Sequence, residues 1–179
     1  VSPEFTLPGG RCLSLDTQVE ILVNSLCLAG RSKYNISSPE VETFTLKQAY
    51  DLFHQGNNVE ILSHSDVTGN LVFAPVNHIW QSGFKTVYNL TTNNGNKVKS
   101  SDEHLFYVNG KYVPLRNIKP GDGIITCDGH DWEYTSVKSV EQTKRKEEMC
   151  DLEIAGTANL FANGIKCHNS RWFRYLFKG

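Results

Sequence analysis

The chain has 179 residues, 39% hydrophobic and 21% charged, with 18 Lys and Arg against 19 Asp and Glu for a formal net charge of −1. This composition fits a soluble globular protein of one domain, or one domain with ragged ends. Basic residues are dispersed, Lys144-Arg145-Lys146 being followed at once by Glu147-Glu148, and no apolar run approaches the ~20 residues that span a bilayer, so neither nucleic-acid nor membrane binding is supported.

In chain order, Val1 to Phe5 has neither a basic start nor an apolar run, so no signal peptide is expected, and Ser2 to Phe5 reads as a cloning remnant outside the fold. Leu15 to Val23 alternates apolar and polar residues, which predicts a strand with Val19, Ile21 and Val23 on one face. Gly30 to Pro39 reads as a loop or insertion. Thr45-Leu46-Lys47-Gln48 is a capping-box pattern, and Leu46, Ala49, Tyr50 and Phe53 then share one helical face, with Gly56 as a stop. Short strands are predicted at Val59 to Leu62, Leu71 to Val76, Lys85 to Thr92 and Lys97 to Ser100, the last two joined through Asn94-Gly95. His104 to Val108, Asn109-Gly110 and Lys111 to Val113 form a clear hairpin signal. Pro120 to Gly123 is a turn before a strand at Ile124 to Thr126. Leu152 and Ile154 precede a last turn-rich stretch. Many short strands and one helix predict a mainly β fold.

Five cysteines (Cys12, Cys27, Cys127, Cys150, Cys167) with no C-x-x-C pair make a disulfide framework or structural zinc site unexpected. A reducing, intracellular compartment is the default. His54, His64, His78 and His130 read as surface or core filler.

The ends of the middle segment carry the chemistry. Cys167-His168-Asn169-Ser170 places an imidazole, an amide and a hydroxyl in succession. An Asn side-chain amide can attack its own carbonyl carbon, closing a succinimide and breaking the next peptide bond, with a neighbouring imidazole supplying a proton near neutral pH. At the other end Arg11-Cys12 sets a thiol just after a peptide carbonyl, and a thiolate there can convert that amide into a thioester. Alone, each motif has a bland reading: a core cysteine before a strand, a chance tripeptide.

Taken together the blocks are specific. Cys12-Leu13-Ser14-Leu15-Asp16-Thr17-Gln18-Val19 resembles the first splicing block of inteins. Ser100-Ser101-Asp102-Glu103-His104-Leu105-Phe106 resembles the second, and Asp151-Leu152-Glu153-Ile154 with Asn159 through Ser170 resembles the paired C-terminal blocks. The resemblance covers Cys12 to Ser170, apart from the Gly30 to Pro39 region. It implies the Hedgehog/intein (HINT) fold, a mainly β horseshoe with one or two short helices. It also implies an organisation into an N-extein or vector-derived segment (1–11), a splicing domain without homing endonuclease (12–169) and a C-extein segment (170–179).

The resemblance further implies residue roles and a four-step reaction. Cys12 attacks the Arg11 carbonyl, Ser170 takes over the acyl group, Asn169 cyclises, and the ester rearranges to an amide. His104 is expected to protonate the leaving nitrogen at Arg11–Cys12. Ser101, in place of the family's usual Thr, bonds that peptide. Asp151 moves a proton near the cysteine, and His168 assists Asn169. No ATP, metal or cofactor is implied. The expected partners are only the chain's own flanking segments, with the protein acting as a monomer in the cytoplasm with its host.

One departure stands out. Ala158, ten residues before His168, occupies a position where the family usually has His, which predicts slow or conditional C-terminal cleavage. A Cys12–Cys167 disulfide is a candidate redox gate, and thiophilic metals would inhibit through Cys12 and His168. Two alternatives remain open. A HINT autoprocessing domain would cleave without ligating, against which Asn169-Ser170 argues, and a non-catalytic β-rich binding module would make Cys12 and His168-Asn169 accidents.

Overall fold

The computed structural model describes residues 11–23, 26 and 40–169. The predicted insertion at Gly30 to Pro39, Cys27 and Ser170 lie outside the described residues. Twelve strands are found among those described: β1 (Leu13–Ser14), β2 (Gln18–Leu22), β3 (Val41–Thr45), β4 (Glu60–His64), β5 (Leu71–Thr92), β6 (Lys97–Ser100), β7 (Leu105–Val108), β8 (Lys111–Pro114), β9 (Gly123–Cys127), β10 (Trp132–Ile154), β11 (Asn159–Ala162) and β12 (Ile165–His168). They join in the order β11-β12-β7-β9-β10-β1-β6-β5-β4-β2-β3, with β8 on β7, and every pairing is antiparallel.

The predicted local signals form as expected. Val19 and Ile21 of β2 turn into the core. Helix α1 (Leu46–His54) carries the complete capping box: Gln48 N donates to Thr45 Oγ1 (3.1 Å), and Thr45 N donates to Gln48 Oε1 (2.9 Å). In the β7–β8 hairpin, Asn109 (φ 51°) and Gly110 (φ 83°) both adopt the left-handed conformation that its two-residue turn requires.

Two elements differ from expectation. Leu71 to Val76 and Lys85 to Thr92 are parts of one strand of 22 residues, and Leu152 and Ile154 end another of 23. Pro75 and Gly83 suggest boundaries, yet the pairing runs through both. Each long strand serves more than one neighbour: β10 pairs first with β9 and then with β5, while β5 also holds β4 and β6. β10 passes from β9 to β5 between Ser136 and Val137, next to a register shift between Val137 and Ser139, and further shifts at Gln142/Lys146 and Met149/Cys150 interrupt the β5–β10 ladder. The core under this sheet includes Leu13, Ile21, Leu46, Ile61, Leu90, Phe106, Leu152, Leu160, Ile165 and Cys167.

Candidate active site

Strand order brings the two ends of the Cys12–Asn169 segment together. β1 lies between β6 and β10, with Leu13 opposite Ser100 on one side and Cys150 on the other. One further step of each antiparallel register sets Cys12 beside Ser101 and Asp151. The hydrogen bonds agree: Ser101 N donates to Cys12 O (3.0 Å), and Cys12 N donates to Ser101 Oγ (3.0 Å). The amide nitrogen of the Arg11–Cys12 bond therefore already rests on the Ser101 hydroxyl.

The C-terminal end arrives through β12, whose Cys167 faces Phe106 of β7. Following that register two residues outward carries Asn169 toward His104, which immediately precedes β7. Asn169 N donates to Ala158 O (3.0 Å). His168 Nδ1 is hydrogen-bonded to the Asn169 carbonyl oxygen, the carbonyl that an attacking Asn169 amide would meet.

His104 lies between the two ends. Its ring is 2% exposed, packs edge-on against Phe106 at 5.2 Å, and faces the backbone carbonyls of both Arg11 and His168. Neither ring nitrogen makes a hydrogen bond of good geometry with a described residue. Burial pushes the imidazole down to about 3, the nearby His168 and Arg11 charges acting the same way and the two carbonyls against them. At neutral pH it is thus a neutral ring, able to donate one N–H but not to act as a standing acid.

Cys12 is fully buried against Val87 and Met149. Burial, and next the charge of Asp151, push its thiol up to about 12, while Ser101, Lys85 and Ser82 favour the thiolate. Ser82 carried no sequence signal. The bulge pairing Met149 with Gly83 and Cys150 with Gln81 skips Ser82 and re-aims it, so that its hydroxyl donates to Asp151 Oδ2 (3.0 Å). Gly83 (φ 85°) provides the backbone turn for that bulge.

Cys12 and Cys167 belong to separate hydrophobic clusters, and burial raises the Cys167 thiol as well. Burial, and next the charge of Asp151, raise the Cys150 thiol. His64 is a core residue, buried and bonded to Lys166. A polar groove of about 600 Å³ lined by Asp16, Asn96, Lys99, Cys127 and Asn163 includes none of the junction residues.

No family model matches the chain, and no curated protein matches it. Solved structures do. A DnaB intein from Synechocystis sp. PCC 6803 is 25% identical over 89% of this chain and 99% of its own, with a TM-score of 0.70. The VidaL intein is 18% identical over 90% of this chain and 98% of its own (TM-score 0.69). The DnaX mini intein from Spirulina platensis is 18% identical over 89% and 100% (TM-score 0.62). The fold is that of the inteins at mini-intein size, and the likeness supports a self-processing HINT domain.

Proposed function

We infer that this chain splices itself, excising residues 12–169 and joining residues 1–11 to 170–179. The observation that carries this reading is the strand register that sets Cys12 beside Ser101, which holds its amide 3.0 Å away, and brings Asn169 level with His104 at the start of the neighbouring strand.

The first step is an acyl shift. The Cys12 sulfur attacks the Arg11 carbonyl carbon, the carbon–nitrogen bond breaks, and the Cys12 nitrogen ends with the proton that sulfur lost. A buried thiol with so high an affinity for its proton needs a base, and Asp151 is the carboxylate whose charge it feels. Neutral His104 donates its N–H to the Arg11 carbonyl oxygen and stabilises negative charge developing there. The proton that leaves sulfur ends on the Cys12 nitrogen, a delivery that the family resemblance assigns to His104.

The Ser170 hydroxyl then attacks the thioester and Cys12 sulfur leaves, giving a branched ester. Asn169 Nδ2 attacks its own carbonyl carbon, a succinimide closes, and Ser170 leaves as an amine that takes up the proton. His168 Nδ1 on that carbonyl oxygen polarises the carbon under attack. The freed amine finally displaces the ester oxygen. One amide is exchanged for another, so no energy source is required.

Trapping each half tests this. In an Asn169→Ala precursor, hydroxylamine should release residues 1–11 as a hydroxamate; in a Cys12→Ala precursor, residues 170–179 should separate from residues 1–169, which then end in succinimide. A precursor inert to hydroxylamine at Arg11–Cys12 would contradict the thioester step.

A further inference from the structure

The polar groups that the junction chemistry leaves unused lie on one face of β12. Alternation along Ile165–His168 sends Cys167 into the main core and turns Lys166 and His168 to the other side. The β7–β8 hairpin meets both of them. Tyr107 and Tyr112 stand opposite each other in its ladder with ring centroids 5.0 Å apart. The ammonium of Lys166 lies 3.9 Å from the Tyr107 ring centroid. The His168 ring meets the edge of Tyr112 at 4.7 Å.

Asp66 ties this face together. One carboxylate oxygen accepts a hydrogen bond from Lys166 Nζ, and the other accepts from Tyr112 Oη at 3.1 Å. Lys166 is 1% exposed and also bonds His64 Nδ1 at 2.9 Å. His64 is fixed in turn by the Asn159 side chain, which bonds its backbone N–H (2.9 Å) and C=O (2.7 Å). Only the Lys166 end of this pair is enclosed, Asp66 being exposed, so solvent screens part of its attraction and its net contribution to stability is small. Its effect is geometric: it anchors the Tyr112 phenol from behind while the ring faces the junction. Ala158 meets Asn169 only through its backbone carbonyl and brings no polar side chain to this end.

We propose that Tyr112, anchored by Asp66 and Lys166, is a positioning residue whose ring edge holds the His168 imidazole with Nδ1 on the Asn169 carbonyl oxygen. This rests on the reading that Asn169 cyclises with help from His168. A misplacement of about 1 Å can cost on the order of a hundredfold in rate, so loss of the ring should act on the C-terminal junction alone.

The test compares Tyr112→Leu and Tyr112→Phe at each junction separately. Release of residues 170–179 is followed in the Cys12→Ala precursor, and hydroxylamine release of residues 1–11 in the Asn169→Ala precursor. Tyr112→Leu should slow the C-terminal release about tenfold to a hundredfold, with N-terminal release changed less than about twofold. Tyr112→Phe, which keeps the ring and loses the Asp66 bond, should fall between the parent and Tyr112→Leu at the C-terminal junction, slowed about threefold to tenfold, with N-terminal release changed less than about twofold. The proposal is overturned if Tyr112→Leu matches the parent at the C-terminal junction, if it slows both junctions together, or if Tyr112→Phe is as slow as Tyr112→Leu. A parent Cys12→Ala chain that never forms succinimide sinks the cyclisation reading itself, a distinct result from equal rates in parent and variant.

Discussion

Burial acts on Cys12 and His104 in opposite senses, and both effects slow the start of the reaction. The thiol holds its proton up to about 12 and the imidazole refuses one down to about 3, so neither occurs at neutral pH in the ionised form that simple nucleophile or acid chemistry would use. If Asp151 is the base, hydroxylamine release from the Asn169→Ala precursor should depend on pH far less between pH 7 and 9 than release that relies on solvent base. In Asp151→Asn the proton must go to solvent base. Below a thiol pKa of about 12 the thiolate fraction rises with pH, so the variant should start about a hundredfold slower or more at pH 7 and regain about tenfold per pH unit. Parallel profiles for parent and variant would remove Asp151 from the proton path. Of these residues, Cys12, Ser101, His104 and Asp151 were legible as members of blocks. Ser82 was not, since its position depends on a bulge in the β5–β10 ladder and not on any neighbour in sequence.

Hairpins fix how precisely the ends meet. β11 and β12 are joined at Asn163 (φ 48°) and Gly164 (φ 78°), and this turn is wedged against two other elements. A Cβ on Gly164 would sit 2.8 Å from the Cys127 carbonyl oxygen and collide with the Asn96 side chain, whose amide donates to Asn163 O (2.9 Å). Gly164→Ala should therefore destabilise the fold by about 2–4 kcal/mol, combining left-handed strain with overpacking; urea unfolding would measure it, and a loss under about 1 kcal/mol would contradict the wedge. The Asn-Gly signal at 109–110 and the capping box at Thr45 were readable because their causes are local. The continuity of β5 and β10 was not. Pro75 and Gly83 break local patterns, and only pairing with distant strands carries the chain through them.

For the molecule as a whole, the fold class followed from alternating apolar residues and turn chemistry. The meeting of the two ends did not, because it depends on β1 entering between β6 and β10 while β12 joins β7. Only the resemblance of the terminal blocks pointed there. Once that sheet forms, His104 lies against the backbone of Arg11 and His168, residues from opposite ends of the segment. Timed intact-mass analysis of the unaltered chain tests this account most directly. It predicts slow conversion into two species, residues 1–11 joined to 170–179 and an excised 12–169 ending in succinimide. Separate, unjoined end segments, or a chain that stays whole through prolonged incubation with and without reductant, would contradict it.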